Sequence, residues 1–137
     1  MTASRRSVLL VEDDPDDVEL LRLVFECAGG QADFEIASTG VEAINRLRAS
    51  NVGPPHFVLL DLNLPVMRGD EVLAFMKRDP TLRHIPVAIL TSSDAPSDRG
   101  RCGQYGCVAY LVKPKDLRGF RDLAKVIVRI VEVSGAT

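Results

Sequence analysis

The chain of 137 residues is 46% hydrophobic and 26% charged, with a formal net charge of −2. Its length suits one domain with a core of its own, and no apolar run approaches the roughly 18 residues that span a bilayer. The slight acidic surplus argues against nucleic acid as a partner, because binding to phosphates needs an excess of Lys and Arg. Three cysteines make a disulfide framework unexpected, which fits a reducing, cytoplasmic environment.

The first strand signal is the apolar run at residues 7–11, and an acidic segment at 12–17 follows it directly. Asp14 and Pro15 suit the N-cap and the first position of a helix, whose apolar residues then recur with helical spacing. Two glycines at 29 and 30 end this helix. The start of the chain therefore predicts a buried strand, an acidic turn and a helix.

The central strand signal is the run of four apolar residues at 57–60, which comes after a short strand at 34–37 and a helix at 41–49. An uninterrupted apolar run of this length is typical of a strand buried on both faces of a parallel sheet. It ends at a carboxylate, Asp61, before the chain turns at Pro65. Open α/β sheets place their chemistry at the carboxyl ends of such strands, so Asp61 is the first candidate functional residue.

The second half of the chain continues the alternation of helix and strand. Its signals are a helix at 70–78, a strand at 86–90, a polar helix at 97–104, a strand at 109–112 and a helix at 117–133. Strict alternation predicts an α/β fold in which a five-stranded parallel sheet is covered by helices on both faces, with right-handed crossovers. We expect one domain over residues 7–133, a disordered segment at 1–6 and a short tail at 134–137.

Polar side chains follow four of the five predicted strands. They are Glu12, Asp13, Asp61, Thr91 and Lys113. Each one alone has an ordinary explanation, because carboxylates and hydroxyls cap helices and a lysine is a common surface charge. Their recurrence at strand ends is not explained in that way, since the carboxyl ends of parallel strands meet at one edge of the sheet. We therefore expect these side chains to converge.

This group of side chains favours a phosphoryl group bound together with a magnesium ion. Three neighbouring carboxylates repel one another unless a cation offsets their charge, and carboxylate oxygens suit Mg²⁺. Lys113 adds a second positive charge and Thr91 adds a hydroxyl donor. The pattern predicts phosphoryl transfer, with Asp61 as the attacking carboxylate and its neighbours neutralising charge.

Four spaced motifs resemble the receiver domain of two-component response regulators over about residues 7–133. They are Val-Glu-Asp-Asp at 11–14, Leu-Asp-Leu-Asn-Leu-Pro at 60–65 with Gly69, Leu-Thr-Ser at 90–92 and Tyr-Leu-Val-Lys-Pro at 110–114. The segments DLNLPVMRGDEVL and KRDPTLRHIPVAILTSS look most like stand-alone regulators that work with phytochrome-type kinases. One departure is Arg68, where many receivers carry Asp, and we expect it to change only the local surface charge.

The resemblance implies a flavodoxin-like fold with strand order 2-1-3-4-5. It also implies that Asp61 accepts a phosphoryl group from the phosphohistidine of a sensor histidine kinase. A Mg²⁺ ion would be held by Asp13, Asp61 and the main-chain carbonyl of Asn63. Glu12 would hold this ion through a bridging water molecule. The protein would then catalyse only its own phosphorylation and dephosphorylation, and would not be an enzyme with a separate substrate.

The remaining motif positions would complete the site and its switch. The resemblance implies that Thr91 bonds one phosphoryl oxygen and that Lys113 pairs with another. Tyr110 would be the switch aromatic that turns inward as Thr91 moves. Ser92 is small enough to leave the phosphoryl group reachable. The peptide bond between Lys113 and Pro114 is expected to be cis.

The apolar pattern of the helix at 117–133 predicts a surface that binds a partner. Its apolar residues cover an arc of roughly 220°, whereas a surface helix of a globular protein typically buries a stripe of about 100°. Contact with the first or the fourth helix could bury part of the excess. We expect no output domain after this helix, and we expect the signal to leave by protein contact or by onward phosphotransfer. We expect a homodimer through the face formed by the fourth helix, the fifth strand and the fifth helix.

Two other functions use some of the same residues. A phosphatase of the haloacid dehalogenase type also combines a nucleophilic Asp with Mg²⁺ and Lys. It needs a second Asp two residues after the first, where this chain has Asn63, and room for a cap domain. An adaptor with a receiver fold and no phosphorylation would not need the complete set of polar residues at the strand ends.

Overall fold

The computed structural model describes residues 5–49 and 51–134, which form five strands alternating with five helices. The strands are β1 (Arg6–Val11), β2 (Ala32–Ala37), β3 (Phe57–Leu60), β4 (Val87–Thr91) and β5 (Ala109–Val112). The helices are α1 (Pro15–Cys27), α2 (Gly40–Arg48), α3 (Gly69–Arg78), α4 (Pro96–Gln104) and α5 (Leu117–Ser134). The order of elements is the one that the sequence predicts.

All five strands are parallel and lie in the order β2-β1-β3-β4-β5, which confirms the predicted fold. β3 lies between β1 and β4, and all its residues are buried, as its apolar run predicts. The register places Leu60 beside Val11 on one side and beside Ile89 on the other. The carboxyl ends of the three central strands therefore lie at one edge of the sheet.

Apolar side chains form a separate core on each face of the sheet. On one face α2, α3 and α4 contribute Leu47, Met76 and Cys102. On the other face α1 and α5 contribute Phe25 and Ile127. Central strands that are apolar on both faces need helices on both sides, and the chain supplies them.

α5 packs against α1, and this contact buries part of its wide apolar arc. The buried residues of α5 are Phe120, Leu123, Ala124, Ile127, Val128 and Val131. Val126 and Val133 stay exposed, as does Val108 just before β5. Together with the partly buried Ile130 they line a shallow apolar depression. α1 therefore accounts for part of the apolar arc and leaves an uncovered strip beside β5.

Three sequence expectations concern the backbone and the chain ends. Every peptide bond of the described residues is trans, so the expected cis bond between Lys113 and Pro114 was wrong. The trans isomer of an X–Pro bond is lower in free energy by about 0.5–1 kcal/mol, and Lys113 reaches the site in this form. The predicted segments at 1–6 and 134–137 lie largely outside the described residues. Within those residues, no helix is both long and apolar enough to cross a membrane.

Candidate functional site

Asp61 lies at the carboxyl end of β3, where the neighbouring strand fixes its backbone. Its N–H donates to the carbonyl of Val11 at 3.0 Å, and the residue is only 5% exposed. Its Oδ1 accepts a hydrogen bond from the N–H of Asn63 at 3.1 Å, which closes a turn directly after the strand. Its Oδ2 accepts one from Lys113 Nζ at 3.1 Å. Both carboxylate oxygens are therefore oriented by the protein.

Two more carboxylates come from the loop after β1. The N–H of Glu12 donates to the carbonyl of Ala37 at 2.9 Å, which continues the pairing of β1 with β2. The Glu12 side chain is buried, whereas Asp13 is exposed. Carboxylate oxygens of Glu12, Asp13 and Asp61 lie within 4.8 Å of one another. The structure thus brings together the three predicted acidic residues.

Lys113 contacts three carboxylates through one ammonium group. Its Nζ donates to Glu12 Oε1 at 2.5 Å, to Asp17 Oδ2 at 2.8 Å and to Asp61 Oδ2 at 3.1 Å. Asp17 was not among the predicted site residues. The sequence held a signal for it, because the first turn of a helix that follows β1 must begin at the edge where β1 ends.

Burial and charge shift the pKa values of this cluster in a coupled way. Burial raises the pKa of Glu12 to about 7; the hydrogen bond from Lys113 opposes this rise, and the charge of Asp61 adds to it. Burial by itself would lower the pKa of Lys113. The hydrogen bonds to Asp17 and Glu12 and the charge of Asp61 outweigh burial, so the pKa of Lys113 is raised. Lys113 is therefore a permanent cation.

The donor set fits a hard divalent cation. Glu12, Asp13 and Asp61 offer carboxylate oxygens within 4.8 Å of one another. Such oxygens are the ligands that Mg²⁺ accepts in proteins. With Asp17 included, the site holds four carboxyl groups and one ammonium, so acidic groups outnumber basic ones. A bound cation would offset this excess and lower the raised pKa of Glu12.

Thr91 and its neighbours form the second side of the site. Thr91 closes β4 and is fully buried. Its Oγ1 accepts a hydrogen bond from the N–H of Ser93 at 3.3 Å and one from the side-chain amide of Asn63 at 3.4 Å. Ser92 is exposed between Thr91 and Ser93. Asn63 therefore touches both strand ends, through its N–H on Asp61 and its amide on Thr91, and the side-chain contact was not predicted.

Tyr110 lies partly buried on β5, the strand next to β4. Its hydroxyl donates to the carbonyl of Ser93 at 2.8 Å. The guanidinium of Arg99 lies 4.6 Å from the centre of the Tyr110 ring, and Arg99 also pairs with Asp94 at 2.7 Å. These contacts tie Tyr110 to the loop between β4 and α4.

Arg68 forms ion pairs with two aspartates, which goes beyond the change in local surface charge expected for it. It donates to Asp70 Oδ1 and to Asp98 Oδ1, each at 3.1 Å. Arg101 donates to the other oxygen of Asp70 at 2.6 Å, and Ser93 Oγ donates to Asp98 Oδ2 at 2.6 Å. The network joins the loop after β3 to α4, so the expectation for Arg68 was too narrow.

The loop between β3 and α3 is tightly constrained. Val66 has a φ of 69°, and the N–H of Met67 donates to the carbonyl of Pro65 at 2.7 Å across it. A positive φ is strained for a β-branched residue. At the end of the loop the N–H of Gly69 donates to the carbonyl of Leu62 at 3.0 Å. This bond holds the start of α3 against the end of β3.

Comparison with known proteins gives consistent matches across nearly the whole chain. The family model of the response regulator receiver domain matches residues 8–125. The polar-differentiation response regulator DivK of Brucella ovis is 35% identical over 122 residues, which cover 88% of this chain and 94% of that protein.

Solved structures of the same kind superimpose closely. The phosphorylated cyanobacterial phytochrome response regulator RcpA has a TM-score of 0.88 and 32% identity, with 98% of each chain covered. The Mn²⁺-bound response regulator Rcp1 has a TM-score of 0.83 and 32% identity, over 89% of this chain and 91% of that one. The bacteriophytochrome response regulator AtBRR has a TM-score of 0.75 and 37% identity, over 93% and 95%.

Proposed function

The chain belongs to the response regulator receiver domain family, and from this premise we propose that Asp61 accepts a phosphoryl group from the phosphohistidine of a sensor histidine kinase. The observation that carries the proposal is the surroundings of the Asp61 carboxylate. One oxygen faces the Lys113 ammonium, and two further carboxylates lie within 4.8 Å of it. A carboxylate held beside an ammonium group can attack phosphorus while the charge that develops is neutralised, and the two neighbouring carboxylates can hold a cation that adds to this.

The transfer balances without any further reactant. A carboxylate oxygen of Asp61 attacks phosphorus, and the bond from phosphorus to the histidine nitrogen breaks with its electron pair left on that nitrogen. The other ring nitrogen carries a proton taken from solvent water, so the histidine leaves as neutral imidazole. Lys113 and the hydroxyl of Thr91 would each bond a phosphoryl oxygen, and the exposed Ser92 leaves the group open to its donor. Glu12, Asp13, Asp61 and the Asn63 carbonyl would hold Mg²⁺. This ion supplies charge neutralisation at the phosphoryl oxygens.

Three similar regulators suggest the class of the kinase. RcpA, Rcp1 and AtBRR match 89–98% of this chain, and the descriptions of RcpA and AtBRR connect them with phytochromes. The Mn²⁺ bound to Rcp1 supports a divalent metal in this fold. We therefore expect a phytochrome-type sensor kinase as the partner of this chain.

The proposed output is a change of the face formed by α4, β5 and α5. A phosphoryl group at Asp61 would draw the Thr91 hydroxyl towards it, and Tyr110 would follow into the space that opens. Tyr110 is bonded to the carbonyl of Ser93, two residues beyond Thr91, so a movement of this loop reaches the ring directly. The shift would alter the surface that carries α4.

A second copy of the chain would cover the strip beside β5. Val108, Val126 and Val133 are exposed there, and an isologous pair would bury the strip twice. We expect Val126→Glu to be a monomer in sedimentation velocity at micromolar concentration while the native chain is a dimer. Leu23→Glu is the control, because Leu23 is also exposed but lies on α1. A native chain that stays monomeric with and without phosphorylation would contradict the dimer.

Intact-protein mass spectrometry after incubation with acetyl phosphate and Mg²⁺ tests the central chemistry. We expect one added phosphate on the native chain and none on Asp61→Asn. Asp33→Asn is the matched control, because Asp33 lies on β2 and pairs with Arg5 instead of Lys113. A native chain without label would favour the unphosphorylated adaptor. Repeated turnover of a small phosphate ester would favour the phosphatase.

A further inference from the structure

The end of α4 brings together two of the three cysteines of the chain. α4 ends at Gln104, and Gly106 follows with a left-handed φ of 74°. The N–H of Gly106 donates to the carbonyl of Gly103 at 3.1 Å, and the N–H of Cys107 donates to the carbonyl of Cys102 at 3.4 Å. These two bonds form a Schellman motif, in which the first and sixth residues commonly make a side-chain contact. Cys102 and Cys107 hold these two positions.

The backbones of these two cysteines are close enough for a disulfide bond. By standard dimensions, a carbonyl oxygen lies about 2.4 Å from its own Cα and an amide nitrogen about 1.5 Å from its own Cα. The oxygen of Cys102 and the nitrogen of Cys107 are 3.4 Å apart. Because the path bends at the nitrogen, the two Cα atoms lie at most about 7 Å apart. The Cα atoms of a disulfide bond are usually about 4.4–6.8 Å apart.

The two thiols share one environment in the core. Cys102 is fully buried, and the partly buried Cys107 packs against the same cluster of apolar side chains. Any small apolar side chain would fill either position, because the contact in a Schellman motif requires only apolar groups. Packing alone therefore does not explain why both positions carry sulfur.

We propose that Cys102 and Cys107 form a reversible disulfide bond when the chain meets a hydroperoxide, and that this bond fixes the end of α4 to the turn before β5. Cys107 reacts first, because it is partly exposed whereas Cys102 is fully buried. Cys102 then acts as the resolving thiol. The inference does not depend on the chemistry of Asp61.

The oxidation takes two steps. The sulfur of Cys107 attacks one oxygen of hydrogen peroxide, the O–O bond breaks, and a sulfenic acid and one water form. The sulfur of Cys102 then attacks the sulfur of Cys107, and the hydroxyl group leaves with the Cys102 proton as a second water. Two electrons thus pass from the two sulfurs to the peroxide. Burial raises the pKa of Cys107, and burial together with the nearby Cys107 raises the pKa of Cys102 to about 11, so we expect a slow reaction at neutral pH.

The test is mass spectrometry of tryptic peptides after treatment with hydrogen peroxide and alkylation of the remaining thiols. Trypsin cleaves after Arg101, so Cys102 and Cys107 stay in one peptide, whereas Cys27 lies in another. We expect the shared peptide to lose about 2 Da and to escape alkylation, and dithiothreitol to reverse both changes. Cys27→Ser is the control, because Cys27 is exposed and lies on α1, and it should form the same bond.

The same experiment identifies the order of the two steps. In Cys102→Ala, Cys107 should stop at the sulfenic acid, which dimedone traps. In Cys107→Ala, the buried Cys102 should stay reduced. A native peptide that is alkylated at both positions, under conditions that oxidise the exposed Cys27, overturns the inference. A disulfide bond that joins Cys27 to either of the other cysteines overturns it as well.

Two further measurements concern the closeness of the thiols and the effect of the bond. Phenylarsine oxide binds two neighbouring thiols and releases one water, so the native chain and Cys27→Ser should retain it through gel filtration while Cys107→Ala should not. Equal retention by Cys107→Ala overturns the pairing. In the oxidised chain, the amide hydrogens of residues 103–107 should exchange more slowly than in the reduced chain. Unchanged exchange there overturns the proposed fixing of α4.

Discussion

Replacing Gly69 by alanine tests how closely the start of α3 packs against Asp61. A Cβ at this position would lie 2.0 Å from the carbonyl oxygen of Asp61 and 2.8 Å from its carbonyl carbon. Carbon and oxygen atoms that are not bonded approach to about 3.3 Å, so the backbones must separate by more than about 1 Å. Neither backbone segment can move freely. The N–H of Gly69 donates to the carbonyl of Leu62, and the N–H of Asp61 donates to the carbonyl of Val11, each at 3.0 Å.

We expect Gly69→Ala to lower the free energy of unfolding by about 3 kcal/mol, the upper range for overpacking a rigid site. The midpoint of urea unfolding, followed by circular dichroism, should fall with an unchanged slope. A displacement of Asp61 by about 1 Å should also slow labelling by acetyl phosphate roughly 100-fold. The label would be measured in the fraction that remains folded.

Gly100→Ala is the matched control for this substitution. Gly100 lies in the middle of α4, and among the described residues no atom other than those of its chain neighbours and its own helix backbone comes within 4 Å of the added Cβ. The free energy of unfolding of this variant should rise by about 0.5–1 kcal/mol, because alanine loses less conformational entropy than glycine when it is fixed in a helix. A Gly69→Ala chain that is as stable as the native one and is labelled at the native rate would refute the argument from close contact.

Three further predictions concern single side chains. In EDTA, the native free energy of unfolding should fall by up to about 3 kcal/mol between pH 4.5 and 7, because folding raises the pKa of Glu12 from 4.5 to about 7. Urea unfolding at pH 5 and at pH 8 should show this loss of stability for the native chain, and Glu12→Gln should not show it. Val66→Asn should raise the midpoint of thermal unfolding and stabilise the fold by about 0.5–1 kcal/mol, since asparagine tolerates the φ of 69° better than valine; an unchanged midpoint would count against strain there. Burial by itself would raise the pKa of Asp70, but hydrogen bonds from Arg101 and Arg68 outweigh burial and lower this pKa. The ionised Asp70 therefore stabilises the fold above pH 3.8, and this stabilisation is lost as the pH falls further. Asp70→Asn should therefore cost about 1–2 kcal/mol at pH 7, less at pH 3, with the half-exposed arginines limiting the effect.

The fold and the centre of the site could be predicted because both depend on local order along the chain. Alternating apolar runs and helical periods specify a parallel sheet, and parallel strands end at one edge. Residues that directly follow a strand therefore have predictable positions. Glu12, Asp13, Asp61 and Lys113 follow three such strands, and the structure places them together.

The contacts that sequence reasoning missed are made by side chains that reach across elements. Arg68 and Asp98 are separated by 30 positions, and no spacing rule connects a loop residue to a residue of α4. Which of several carboxylates a lysine reaches also depends on rotamers and burial. The sequence therefore showed Asp17 only as part of the acidic segment at 12–17, although its Oδ2 lies 2.8 Å from Lys113 Nζ.

Two chains of contacts lead from the surroundings of Asp61 to α4, and they meet at Ser93. Thr91 is bonded to Ser93, whose carbonyl holds Tyr110. The loop after Asp61 reaches Asp98 through Arg68, and Asp98 is bonded to the hydroxyl of Ser93. A movement of the loop between β4 and α4 must therefore break the bonds of Tyr110 and of Asp98 together. Both hydrogen bonds involve Ser93, so a partial movement of this loop would break them without forming new ones. This favours two discrete positions of α4 over a continuous range of positions.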